Sequence, residues 1–289
     1  MKKWIFTVML VLALSPALGC SKAPQGEAKV KSQAIQVKGS DTMVNLGQAW
    51  AEEFMARHPE ASIAITGGGS GTGIAALVNG TCDIAQSSRE MKQQEIVLAK
   101  VNGKDVREFK LAVIVHPSNP VKELSIDQLS DIFTGKTVNW KEVGGEDRPI
   151  LALSRERNSG THVYFLEHVV RKGNEKGPEQ FAPSTLMLPS SQAIIEEVSQ
   201  SQGAIGYDGM GYVTAQVKTL GVAKAAGGPF VRPTMATAMD KTYPLARPLL
   251  VYTAGDPQGL IKDLIDFILS DEGQKIVEVM DFVPLGKKA

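Results

Sequence analysis

Two cysteines in 289 residues, Cys20 and Cys82, are too few for a disulfide framework. Aromatic residues make up only 6% of the chain, and neither sign of charge is in excess, with 31 Lys+Arg against 31 Asp+Glu. A nucleic-acid binder carries a basic excess or basic runs, and neither is found here. If the ligand is an anion, local geometry must attract it, because the overall charge does not. Beyond residue 18 no apolar run reaches the length of a membrane span. His58, His116, His162 and His168 show no HExxH spacing, and Cys82 has no obvious base nearby. Residues 67–74 (GGGSGTGI) hold no Lys, so they are not a Walker A loop, and Thr72 stands where a dinucleotide fingerprint needs Gly. Ser70 is not in a GxSxG elbow. No metal, cofactor or catalytic group is therefore expected.

What is present begins with an export signal. Lys2 and Lys3 precede an apolar stretch from Trp4 to Leu18, and Ala17-Leu18-Gly19 puts small residues before Cys20. A cysteine at the cleavage point is the mark of a lipoprotein signal over residues 1–20, with Cys20 carrying the lipid. Ala17 stands where such signals usually have Leu, and plain secretion is the alternative. Residues 21–34 (SKAPQGEAKVKSQA) are polar and aperiodic, as in a flexible tether. The body is expected outside the cytoplasm, in the periplasm or at the cell surface, held to the membrane by its N-terminal lipid. Cys82 then has no partner and reads either as a reactive thiol or as a small buried residue.

The hydrophobic content of 43% is ordinary for an α/β protein, and the pattern agrees. Strands are expected at 35–38, 62–65, 83–85 and 150–153. Helices are expected at 43–57, from 74, at 92–100, from 162, from 192, at 260–269 and at 272–279, and residues 126–133 open the second α/β set. Such alternation predicts a mostly parallel sheet covered on both faces. Two apolar runs, Leu111–Val115 and Leu249–Tyr252, read as strands crossing between two lobes. Lobe 1 is then 35–113 with 249–289, and lobe 2 is 114–248. The crossings form a hinge with a ligand cleft between the lobes.

Three turns share one design, in which Gly and Ser or Thr follow a strand and precede a helix. They are Gly39-Ser40-Asp41-Thr42, Gly69-Ser70-Gly71-Thr72 and Asn158-Ser159-Gly160-Thr161. Helix starts leave N–H groups free, Gly admits close approach, and hydroxyls add donors, so such turns suit oxyanions. Each one alone is equally an ordinary N-cap. Three of them on alternate strand ends point to a shared site.

The segments GSDTM, GGGSGTGIAALVNGTCDIA, DIFTGKTVNW, SRERNSGT, GAIGYDGMGYV and FILSDEGQKIV, in this order, resemble the phosphate-binding proteins of bacterial phosphate ABC transporters. The resemblance implies a two-lobed type II periplasmic-binding-protein fold and inorganic phosphate as ligand. It also implies a membrane permease and ATPase as partners, and a monomer is expected. Carried over by motif position, the phosphate contacts are Thr42, Ser70, Asp83, Arg155, Ser159, Gly160 and Thr161, with Ser40, Gly71, Ser88 and Arg89 as further candidates. Arg155 would offer its planar fork to two oxygens. Asp83 would accept the hydrogen that phosphate carries and sulfate lacks, a discrimination that can reach roughly 10⁴–10⁵. Without the resemblance, Asp83 reads as a cap and Arg155 as the partner of Glu156. The chain departs from the enteric members at Arg157, where they have the Asp that orients the arginine. It departs also at Met43 in place of Phe and at Ser88 in place of Asp. A receptor for another oxyanion such as sulfate, a phosphate-ester hydrolase and an adhesin are the alternatives.

Overall fold

The computed structural model describes residues 33–99 and 102–285, with the side chains of 34–98 and 111–285. Cys20, the signal segment and all but the last two residues of the expected tether lie outside the described residues. Among those residues no helix is long and apolar enough to cross a membrane.

The first part of the chain alternates β1 (Gln33–Gly39), α1 (Val44–Arg57), β2 (Ala61–Thr66), α2 (Ser70–Val78), β3 (Ile84–Ser87) and α3 (Gln93–Ala99). In β1, Ile35 and Val37 alternate into the core. In α1, Leu46, Trp50 and Phe54 recur at helical spacing and are buried. A long strand, β4 (Asn102–Val115), leads into β5 (Glu123–Ser125), α4 (Ile126–Phe133), β6 (Leu151–Arg155), α5 (Gly160–Phe165), β7 (Leu186–Leu188), α6 (Ser191–Gln200) and β8 (Ala204–Gly209). The remainder is β9 (Lys218–Thr219), β10 (Gly221–Ala223), α7 (Met235–Met239), β11 (Ala246–Thr253), α8 (Gly259–Leu269) and α9 (Asp271–Val279).

Among the described residues, strands join in the order β2-β1-β3-β11-β4-β8-β6-β7, with β9 beside β4. The triplet β2-β1-β3 is parallel, and so is β8-β6-β7. Between them, β11 runs antiparallel to both β3 and β4, and β4 antiparallel to β8. The expected mostly parallel sheet is thus two parallel halves joined by an antiparallel middle. The chain crosses outward on β4 and returns on β11, so those neighbours must oppose.

The first crossing is also longer than its apolar run. Residues 102–110 pair with β11, and 111–115 pair with β8 and β9. The sequence NGKDVREFK carries no strand pattern of its own, and its ladder comes from its neighbour. In the second half of β4, Leu111, Val113 and Val115 face the main core, and Ala112 and Ile114 face α6. The helices α8 and α9 return to α1, where Trp50 Nε1 donates to the Gly273 carbonyl at 2.9 Å.

Candidate functional site

The three glycine-hydroxyl turns meet. After β1, Ser40 N donates to the Gln86 carbonyl at 2.8 Å, which draws the first turn against β3. That approach needs Gly39, whose φ is 141° and where a Cβ would lie 2.0 Å from the same oxygen. The second turn enters α2 through Gly69, with φ 89°. The third follows β6, where Ser159 caps α5 by accepting from His162 N at 3.4 Å.

Their side chains form a buried row. Thr42 Oγ1 lies 2.9 Å from Thr161 Oγ1, Thr161 Oγ1 lies 3.4 Å from Ser88 Oγ, and Ser88 Oγ lies 3.2 Å from Ser70 Oγ. Ser70 Oγ also accepts from Ser88 N at 2.9 Å. Gly160 makes the closeness possible, because a Cβ there would sit 2.4 Å from Ser70 Oγ and 2.6 Å from Ser88 Oγ. Ser40 Oγ is buried nearby in sequence and has no hydrogen-bond partner. Hydroxyls rotate, so the row can aim several O–H donors at one small anion. Among the described residues, no carboxylate is hydrogen-bonded to these four hydroxyls.

Arg155 is 1% exposed and stands behind the first turn. Its Nη2 donates to Asp41 Oδ2 at 2.8 Å and to the Pro189 carbonyl at 3.1 Å, and its Nη1 donates to Ser191 Oγ at 2.9 Å. Asp208 Oδ2 lies 3.5 Å from the same Nη1. Its ionic partners are therefore Asp41 and Asp208, not Glu156. Burial raises the Asp208 carboxyl above its ordinary range, and the Arg155 charge opposes this. Arg155 Nε is a buried donor with no partner.

Asp83 is not brought to the row. It precedes β3, whereas Ser88 follows that strand, and five residues of extended chain span about 16 Å. Its Oδ2 accepts from Gln36 N at 2.7 Å, which fixes the start of the β1–β3 pairing. The cap alternative therefore describes Asp83, and the proton test assigned to it has no carrier there. Arg89 lies next to Ser88, but its guanidinium pairs with both Glu95 oxygens at 2.8 Å. The amide of Gly71 donates to the Asn158 carbonyl at 3.0 Å. Cys82 is buried beside Ile74 and Leu77, and burial raises its thiol pKa. His162 is buried. Its Nδ1 lies 3.1 Å from Ser154 Oγ, which is 2.6 Å from Tyr207 Oη, and burial lowers the imidazole to about 4.

Several residues of the site escaped sequence reasoning. Arg247 is 7% exposed, and it donates from Nη2 to Thr161 Oγ1 at 3.2 Å and from Nη1 to the Gly160 carbonyl at 3.1 Å. Its guanidinium lies 4.5 Å over the Tyr164 ring. The signal was a single cation within the apolar run YPLARPLLVY. Asp208 was likewise a charge inside the apolar GAIGYDGMGY. Asp41 and Asn158 join the turns to one another: Asp41 Oδ1 accepts from Gly68 N at 2.9 Å, and Asn158 Nδ2 donates to the Gly68 carbonyl at 2.7 Å.

Comparison with known proteins places this geometry. Residues 23–272 match the family described as PBP superfamily domain. The chain is 34% identical to the phosphate-binding protein PstS of Pseudomonas aeruginosa, over 96% of this chain and 90% of that protein. It is 31% identical to the phosphate-binding protein PstS of Bacillus subtilis, over 99% and 95%. A crystal structure of a Clostridium perfringens phosphate ABC transporter substrate-binding protein, described as putative and holding bound phosphate, superposes with a TM-score of 0.80 at 32% identity, covering 88% of this chain and 100% of that one.

Proposed function

The chain belongs to the PBP superfamily as a phosphate ABC transporter substrate-binding protein, and from that premise we propose how it takes its ligand. It binds inorganic phosphate for an ABC transporter, on a two-lobed α/β fold. Phosphate sits on the hydroxyl row of Thr42, Ser70, Ser88 and Thr161, with Ser40 and the backbone of Gly160 and Ser159 around it. Arg155, held by Asp41 and Asp208, and Arg247, held against Thr161, supply the positive charge. The supporting observation is the convergence of hydroxyls from four separate strand ends in one buried row.

The lobes run over 35–113 with 249–289 and over 114–248. Binding is of high affinity. The protein works outside the cytoplasm as a monomer, tethered through lipid on Cys20, and presents its closed lobes to a permease and ATPase.

Calorimetric titration of the purified protein with phosphate tests the site. One tight equivalent is expected, weakened at least about tenfold in Thr161→Val, because a hydrogen bond to a charged group contributes about 1.5–3 kcal/mol. Absence of phosphate binding, or an unchanged Thr161→Val, refutes it. Cys20→Ala is expected to release the protein from the membrane fraction, and retention there refutes the anchor.

A further inference from the structure

A cavity of about 760 Å³ opens beside the hydroxyl row, between the segment after β3, the helical stretch that starts with α5, and the start of β11. Its lining includes Arg89, Lys92, His168, Lys176 and Arg247, and none of the four row hydroxyls. Arg247 is the wall shared by the two spaces, since the same guanidinium that lines the cavity donates to Gly160 O and Thr161 Oγ1. Arg89 lines the same cavity, and its Nη atoms hold the Glu95 carboxylate and the Glu90 carbonyl.

Two guanidinium groups thus line one partly dehydrated space. Burial lowers the Arg247 pKa to about 9, and the Arg89 charge pushes in the same direction. Like charges in such a place attract an anion between them, and the anion offsets their repulsion. Glu90, Glu167 and Glu175 also line the cavity, so its mouth is mixed in charge and the attraction is concentrated at the two arginines.

We propose that the floor of this cavity, between Arg89 and Arg247, is an outer subsite for a small tetrahedral oxyanion. It is one guanidinium away from the hydroxyl row and serves as the station from which phosphate passes inward. An anion held there needs only to exchange Arg89 for Thr161 as its partner, with Arg247 in contact throughout. This inference rests on the phosphate reading of the row.

The test uses the full purified chain, stripped of anion, and inorganic phosphate as the probe. Calorimetry and phosphorus NMR on the wild type are expected to show one tight equivalent and a second that is at least about a hundredfold weaker. The second should fade in 0.5 M NaCl, where screening acts within a few ångströms. Arg89→Gln is expected to remove the second equivalent, keep the tight one and slow stopped-flow association about tenfold, in line with electrostatic steering. Arg89→Lys is expected to restore most of the association rate. A single equivalent in the wild type overturns the subsite, as does a second equivalent that survives Arg89→Gln, or an association rate that Arg89→Gln leaves unchanged. Loss of the tight equivalent from the wild type itself would instead overturn the phosphate reading.

Discussion

Adding one methyl group at Gly160 separates the proposed site from the rest of the fold. A Cβ there would lie 2.4 Å from Ser70 Oγ, 2.6 Å from Ser88 Oγ and 3.0 Å from the Ser88 carbonyl carbon. Ordinary contact begins near 3.4 Å, so both hydroxyls must retreat by most of an ångström. Gly160 is the first residue of α5, and alanine is the better helix former by about 0.8–1.0 kcal/mol. Overpacking a filled space costs about 1–3 kcal/mol, so the net loss of stability is about 1 kcal/mol. Binding suffers more. Two displaced donors to an anion remove about 3–6 kcal/mol, which is roughly a 10²–10⁴-fold rise in Kd. Titration with phosphate and thermal denaturation of Gly160→Ala, beside the wild type, measure the two effects separately. A Kd within threefold of the wild type in a folded Gly160→Ala protein would refute the assignment of Ser70 and Ser88.

Asp83→Ala removes the acceptor of Gln36 N, so a stability loss of about 1–3 kcal/mol is expected from the unmet amide. The same variant should leave the ratio of phosphate to sulfate affinity unchanged, and a narrowed ratio in paired titrations would return Asp83 to the site. Asp41→Asn leaves Arg155 with Asp208 at 3.5 Å, so less than the full cost of breaking a buried pair applies. A loss of about 2 kcal/mol, read as a melting shift of about 4–8 °C, is expected, and an unshifted melt contradicts it. His162 has a folded pKa of about 4 against an ordinary 6.5. The unfolded chain therefore binds the extra proton first, and stability present above pH 6.5 is lost as pH falls towards 4. The loss reaches about 3 kcal/mol, and denaturant titrations of the wild type and His162→Gln across that range should differ in slope; equal slopes would remove His162 as the cause.

The parts of the site that were legible are those the chain spells locally. Ser40, Thr42, Ser70, Ser159 and Thr161 sit on strand-to-helix turns, whose chemistry is written in four consecutive residues. Asp83 was carried over by motif position, and the structure puts it before β3 whereas Ser88 follows that strand, whose two ends are distant in space although close in sequence. The Asp41–Arg155–Asp208 group joins residues more than fifty positions apart: the pairing of β6 with β8 brings Arg155 to Asp208, and Asp41 reaches Arg155 from the turn after β1. Arg247 offered a signal, a cation among apolar neighbours, but its meaning depended on Thr161 across the sheet. The two helical–strand alternations were readable for the same reason as the turns. The polar first half of β4 was not, because residues 102–110 owe their extended form to β11.

The strand β4 runs unbroken through fourteen residues, its first part hydrogen-bonded to β11 and its last to β8. Parting the two halves cannot swing on slack connectors; it must flex a ribbon whose first part is paired to one neighbour and whose last part to another, in the manner of a leaf spring. The register slips between Leu249 and Leu250, which leaves Val106 without a partner in the ladder, and a bulge of this kind bends its strand. Any parting of the two halves would then cost the bending of a paired ribbon and not the loosening of a joint.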